Sequence, residues 1–137
     1  MREKLVEFEG AGVRLACVVQ GDLAQTARFC GRHGVEQICI PDPEKESYSA
    51  MGFPRARWRD LLKAWPDIMR RRKEANAAGC GVSISGSLQK HRDALQLPGA
   101  ALIARGGKIL WLHRGTHPGD LPLADELLTV VREILRN

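Results

Sequence analysis

The sequence has no apolar run of about 20 residues, the length that a membrane-spanning helix requires. Its first nine residues alternate charged with apolar side chains, so it also lacks the uninterrupted apolar stretch of a secretory signal. These absences predict a cytoplasmic protein with no membrane segment. Internal repeats and linker-like stretches are also missing, so we expect a single domain over residues 1–137.

The four cysteines include no C-x-x-C pair, and their spacing is not typical of a small secreted disulfide scaffold. Cys17 and Cys39 lie in apolar, strand-like runs and are expected to be buried, inert thiols. Cys30 lies close to His33 on a predicted helix, as either an imidazole-activated thiol or a half-buried helix cysteine. Cys80 lies between two glycines, and we expect an exposed thiol that is either a resolving cysteine or an accessible bystander.

Two histidines show a spacing that zinc sites use on helices. His113 and His117 are separated as H-x-x-x-H, which would place both on one face of a helix. Here the pair spans the end of a predicted strand and a loop rich in glycine and proline. We therefore predict no metal site, and the sequence indicates no cofactor.

The net charge of +5 is concentrated in one segment. Residues 55–73 hold eight basic and two acidic side chains, so this segment is +6 and the remainder is −1. Such a segment is either a solvated helix face or a binding surface for an acidic protein partner, with Arg70, Arg71 and Arg72 as the contact residues. Nucleic acid is not favoured, because no other nucleic-acid signature is present, and Trp58 and Trp65 are expected to be core anchors.

Periodicity and punctuation predict an α/β protein. We expect a helix over 2–9, a strand over 13–19, a helix capped by Asp22 to His33, a strand over 37–40 and a helix over 43–52. A helical segment follows over 55–77, interrupted at Pro66, and then a loop over 79–87. A hairpin over 100–105 and 108–113, turning at Gly106-Gly107, precedes a helix that starts at Pro122.

Two groups of motifs resemble the AhpC/TSA-type, peroxiredoxin-like family. The first is Pro41-Asp42-Pro43 with Tyr48 and Met51-Gly52-Phe53, and the second is 97–103 with Leu112-His113-Arg114 and Gly119-Asp120. The resemblance covers nearly the whole chain. It implies a thioredoxin-like, three-layer α/β sandwich with a mixed sheet of about four strands, and a thiol-dependent antioxidant or oxidoreductase function.

The chain departs from that family at its first residues. Family members carry a strand and a redox loop, often C-x-x-C-R-E, before the first helix. Arg2-Glu3 matches the R-E pair, which would set Arg2 beside the former active site and Met1 in place of the last cysteine. The reactive species in this chemistry is a thiolate, and a helix N-terminus lowers the thiol pKa. No cysteine of this sequence is expected at such a place, so the resemblance implies a protein that is inactive as written. A native start further upstream is the alternative, as is a non-catalytic binding module that uses residues 55–73.

The missing strand also has structural consequences. In the family it lies between the strands that correspond to 13–19 and 100–105. We expect these two strands either to pair directly in a rearranged sheet or to leave exposed edges that form a homodimer. Pro98 precedes a strand at the place where thioredoxin folds carry a cis-proline, so the resemblance makes it the candidate cis-proline of this chain.

Overall fold

The computed structural model describes residues 4–34, 38–77, 93 and 95–136, without the side chains of residues 33, 60, 71 and 75. The order of helices and strands agrees with the sequence prediction and makes this a mixed α/β protein. The elements are α1 (Leu5–Gly10), β1 (Cys17–Val19), α2 (Leu23–His33), β2 (Cys39–Pro41), α3 (Glu46–Ala50), α4 (Trp58–Ala77), β3 (Gly99–Ile103), β4 (Ile109–Arg114) and α5 (Ala124–Arg136). Within these residues, no helix combines the length and apolar character needed to cross a bilayer.

Helix α2 begins and ends as its sequence predicts. The Asp22 side chain accepts a hydrogen bond from the Gln25 backbone N–H at 2.8 Å, and the Gln25 side chain accepts one from the Asp22 backbone N–H at 3.1 Å. This reciprocal capping box satisfies two N–H groups that a helix start leaves unpaired. At the other end, Gly34 adopts φ +63°, a left-handed conformation that stops the helix.

The described strands form two separate two-stranded sheets. Strands β1 and β2 pair in parallel, with Cys17 opposite Cys39, and β3 and β4 form the predicted antiparallel hairpin. The mixed sheet of about four strands implied by the resemblance is therefore not formed among the described residues. The direct pairing of the 13–19 and 100–105 strands is not formed there either.

Aromatic side chains connect the two sheets. The Val19 carbonyl accepts a hydrogen bond from Asp42 at the end of β2, so the Val18 carbonyl faces the other edge of β1. There it accepts a hydrogen bond from the Tyr48 hydroxyl at 3.1 Å. The Tyr48 ring meets the Phe53 ring edge-on, with centroids 5.9 Å apart, and Phe53 packs on Gly99 of β3. Side chains therefore occupy part of the space where a direct β1–β3 ladder would run.

A backbone ladder also ties the chain before α4 to the chain before β3. The Leu97 N–H donates to the Pro54 carbonyl at 3.1 Å, and the Ala56 N–H donates to the Leu95 carbonyl at 2.7 Å. Ala56 and Leu97 are both buried. This ladder fixes the residues that lead into β3.

The core lies under α1 and α5. Phe8, Leu128 and Val131 are buried together, and Leu15, just before β1, and Leu102 of β3 pack against them. In α5, Leu128 is buried, whereas Leu135 near the end of the helix and Leu123 just before its start are 53% and 64% exposed.

Helix α4 contradicts two sequence predictions. Its 20 residues run through Pro66 without the predicted break. Pro66 is exposed, and the carbonyl that it leaves unpaired belongs to exposed Leu62, where water can hydrogen-bond to it. Trp58 and Trp65 are 73% and 55% exposed and are not core anchors. The half-buried face of α4 carries Leu61, Ala64 and Ile68 instead, about a quarter of a turn away.

Candidate redox site

A disulfide between Cys30 and Cys39 joins α2 to β2, with the two Cα atoms 6.5 Å apart. Gly34 ends α2. Cys30 lies four residues before it and Cys39 five residues after it, in the strand β2 that follows. Cys30 is fully buried and Cys39 is half-buried. The expectation that Cys39 is an inert free thiol was therefore wrong.

A third cysteine lies beside this disulfide. Cys17 is opposite Cys39 in the parallel ladder of β1 and β2, where neighbouring strands are about 4.8 Å apart. Residues directly opposite each other in such a ladder point to the same face of the sheet. Cys17 is a free, half-buried thiol. Sequence reasoning missed this cluster because strand register cannot be derived from cysteine spacing.

The surroundings of the cluster favour neutral thiols over thiolates. Burial raises the pKa of the Cys17 thiol above its ordinary value. Burial also raises the pKa of the neighbouring Tyr48 hydroxyl, and the negative charges of ionised Cys17 and Asp42 raise it further. Cys30 lies in the C-terminal half of α2, away from the helix N-terminus whose partial positive charge stabilises thiolates in reactive cysteines. None of the three described cysteines lies at a helix N-terminus.

Pro98 is not a cis-proline. The described residues contain no cis peptide bond, so the bond between Leu97 and Pro98 is trans. Trans is favoured by about 0.5–1 kcal/mol before proline. Here it is fixed by backbone hydrogen bonds on both sides, from Leu97 to Pro54 and from Gly115 to the Pro98 carbonyl at 2.9 Å.

The structure describes the side chains of two of the three predicted basic contact residues, Arg70 and Arg72. Arg70 forms two ion pairs within α4, with Asp67 at 3.3 Å and with Glu74 at 3.1 Å. Arg72 is half-buried, and its Nε has no hydrogen-bond partner. The Arg71 side chain lies outside the described residues, as do Arg2, Cys80 and the predicted 79–87 loop.

A second polar cluster follows β4. His113 Nε2 lies 3.3 Å from Asp120 Oδ1, while Asp120 Oδ2 accepts two hydrogen bonds from Thr116 at 2.8 Å. Burial opposes ionisation of Asp120, but these bonds and the nearby His113 and His117 charges outweigh it and lower its pKa. A cavity of about 440 Å³ lies beside the pair, between β4 and α5, lined by Trp111, Leu121, Glu126 and Val130 among others.

The two histidines of the H-x-x-x-H pattern have different partners. His117 Nδ1 accepts a hydrogen bond from the Gly119 N–H at 3.2 Å, whereas His113 faces Asp120. Among the described residues, no group of three or more His, Cys, Asp or Glu side chains is arranged to hold a metal ion. The hydrogen bonds of Asp120 and His117 link residues within the loop between β4 and α5.

Comparison with known proteins places these observations in one family. The family model described as AhpC/TSA antioxidant enzyme matches residues 1–117. Comparison with curated proteins and with solved structures gives no match. At the level of the family, the match indicates peroxiredoxin-like, thiol-dependent function on a thioredoxin fold. Because the match covers most of the 137 residues, the chain belongs to the AhpC/TSA antioxidant enzyme family.

Proposed function

We propose that this chain is a thiol–disulfide redox protein that works through Cys30 and Cys39 and does not turn over hydroperoxides. The observation that carries the proposal is the disulfide that joins α2 to β2. Thiol-dependent function at the level of the family supports it. The settings of Cys17 and Cys30, given below, support the second half of the proposal.

The more accessible of the two cysteines sets the direction of the chemistry. Cys39 is half-buried whereas Cys30 is fully buried, so an external dithiol reaches Cys39 first. The attacking thiolate forms a mixed disulfide with Cys39, and Cys30 leaves with the electron pair and takes up a proton. The second thiol of the reductant then displaces Cys39. The reductant ends as a disulfide and the protein as a dithiol, so two electrons are transferred.

Peroxide reduction demands a different setting. The attacking group is a thiolate, and reactive cysteines are found where positive charge or a helix N-terminus stabilises it. Burial raises the pKa of Cys17, and Cys30 lies toward the C-terminus of its helix and not at the N-terminus. This setting favours a slow, disulfide-forming pair over a peroxidatic thiol.

An assay of hydroperoxide consumption with dithiothreitol tests the proposal. We expect wild type to consume hydroperoxide no faster than the Cys30→Ser/Cys39→Ser variant. Wild type should also lose one disulfide to dithiothreitol and regain it with oxidised glutathione, as counted by alkylation and mass spectrometry. Peroxide turnover that Cys39→Ser abolishes would contradict the proposal, and so would a chain in which no disulfide forms.

A second candidate function rests on the exposed face of α4. Trp58, Leu62 and Trp65 lie on one side of the helix and are 73%, 73% and 55% exposed. Exposed apolar side chains grouped in this way indicate an interaction site. The adjacent face carries three exposed cations without an ion pair among the described residues, namely Arg59, Lys63 and Lys73. We propose that α4 binds an acidic, amphipathic protein partner through this combined surface.

Binding to a synthetic peptide of alternating glutamate and leucine tests this second function. We expect tryptophan fluorescence to shift to the blue on binding, and affinity to fall between low and high salt. Neutralising the α4 cations (Arg59, Lys63 and Lys73 to Gln) should abolish binding. The matched control removes the same charge from exposed sites elsewhere (Arg105, Lys108 and Arg136 to Gln). Equal loss in both variants, or no binding by wild type, would contradict the proposal.

A homodimer through sheet edges stays a proposal. The edge of β1 away from β2 is capped at the Val18 carbonyl by Tyr48, which makes it a poor pairing edge. The outer edge of β3 pairs with no named strand of the described residues and is the favoured contact. Sedimentation equilibrium should give the mass of two chains, and replacing Ala101 by proline should return it to one. A monomeric wild type would contradict the proposal.

A further inference from the structure

We infer that Cys17 is an exchange partner for Cys39, so that the chain holds two alternative disulfides, Cys30–Cys39 and Cys17–Cys39. The inference rests on the redox pair proposed above and adds a residue to it. Its basis is the parallel ladder that places Cys17 directly opposite Cys39 on the same face. The strand separation of about 4.8 Å falls within the Cα separation that disulfides span.

The exchange needs no external oxidant. The Cys17 thiolate attacks Cys39, a bond forms between these two sulfurs, and the Cys30–Cys39 bond breaks. Cys30 leaves with the electron pair and takes up the proton that Cys17 lost. The number of disulfides and thiols is unchanged, so the step is an isomerisation. Cys39 is the shared sulfur because it is bonded to Cys30 and lies opposite Cys17 in the ladder.

The two disulfides differ in what they hold together. Cys30–Cys39 ties α2 to β2, whereas Cys17–Cys39 would tie β1 to β2 and release α2. Burial limits the attack, because Cys17 must ionise first and its pKa is raised. We therefore expect exchange to accelerate as the pH rises through and above the ordinary thiol range.

Removing the first partner isolates the second disulfide. The test uses Cys30→Ser in a Cys80→Ser background, oxidised with glutathione disulfide and alkylated under non-reducing conditions. Trypsin separates the two remaining cysteines into peptides 15–28 and 33–45. We expect these peptides to be joined by a disulfide in most chains. The folded state is checked by comparing circular dichroism with that of reduced wild type.

A register control separates the inference from general thiol reactivity. In the same background, Cys17→Ser with Val19→Cys moves the thiol two residues along β1, to the position opposite Pro41. This thiol is about 6.6 Å further along the strand and should not join Cys39. The inference is overturned if Cys30→Ser yields only glutathione adducts on Cys39 with Cys17 free, or if the control cross-links equally. Failure of the proposed redox pair itself would instead show as the absence of a Cys30–Cys39 disulfide in wild type.

Discussion

Gly99 lies beneath the aromatic ring that links the two sheets. A Cβ atom at this position would lie 2.3 Å from Phe53 Cε1, far inside van der Waals contact. The Phe53 ring also makes the edge-on contact with Tyr48. A side chain at residue 99 must therefore displace an aromatic pair that also caps β1.

Replacing Gly99 by alanine should lower the free energy of unfolding by about 1–3 kcal/mol, the range found when a packed site is overfilled. Gly106→Ala is the matched control, because no atom lies within 4 Å of its added Cβ and its φ is not positive. Urea unfolding of both variants gives the comparison. Equal midpoints for the two would show that Phe53 does not pack on Gly99.

Asp42 closes the turn that leads into α3. Its carboxylate accepts backbone hydrogen bonds from Glu46 at 2.9 Å and Ser47 at 3.0 Å, and a further bond from the Ser47 hydroxyl. Partial burial works against ionisation, but these hydrogen bonds outweigh it and lower the pKa of Asp42. The helix α3 begins at Glu46, three residues later than the start predicted from the sequence at Pro43.

Asp42→Ala should cost about 1 kcal/mol of stability at pH 7, as loss of a helix cap does. Because the folded-state pKa is below the unfolded one, the charge contributes fully above the unfolded pKa. That contribution is lost as the pH falls through the folded value. The difference between wild type and Asp42→Ala should therefore shrink from pH 7 to pH 3 in urea unfolding. Asp42→Asn keeps an acceptor and serves as the control; a difference that stays constant with pH would be contrary to this account.

At the scale of elements, sequence patterns located most helices and strands but not their partners. The capping pair Asp22 and Gln25 located α2 because the contact is local in sequence. The twin glycines located the hairpin for the same reason, although its turn spans 104–108 and only Gly107 adopts a positive φ. The register that sets Cys17 opposite Cys39 and the exposure of Trp58 depend on long-range packing, which no local pattern encodes.

Pro66 within α4 gives a direct test of that helix. If α4 is continuous, Pro66→Ala restores one hydrogen bond to the Leu62 carbonyl and removes a clash without adding a helical segment, so stability should rise while helix content stays nearly unchanged. The gain in stability should be at most about 3 kcal/mol, the propensity difference in a helix interior. Thermal unfolding measures the stability and circular dichroism measures the helix content. A clear rise in helix content would indicate that the wild-type helix is broken at this position.

At the scale of the whole molecule, one buried cluster connects the chain segments of the two small sheets. Leu15 leads into β1 and Leu102 belongs to β3, and both pack against the cluster of Phe8, Leu128 and Val131 from α1 and α5. The resemblance implied a single sheet. Among the described residues the strands form two sheets instead, which aromatic rings and one buried cluster connect. The disulfide then fixes α2, which contributes Cys30 as a fully buried side chain.

Reducing this disulfide should lower stability by about 2–3 kcal/mol, the loop-closure value for a loop of about ten residues. The Cys30→Ala/Cys39→Ala variant should match reduced wild type in urea unfolding. Cys17→Ser, which leaves the disulfide intact, should lie closer to oxidised wild type. Identical midpoints for oxidised and reduced protein would mean that the bond does not constrain the fold.

Disulfide mapping of the oxidised chain is the most direct measurement of the central claim. Trypsin places each cysteine in its own peptide, namely 15–28, 29–32, 33–45 and 74–90. The account predicts that peptides 29–32 and 33–45 are joined and that dithiothreitol separates them with the gain of two hydrogens. Four free thiols in the oxidised protein, or a dominant link from peptide 29–32 to peptide 74–90, would contradict it.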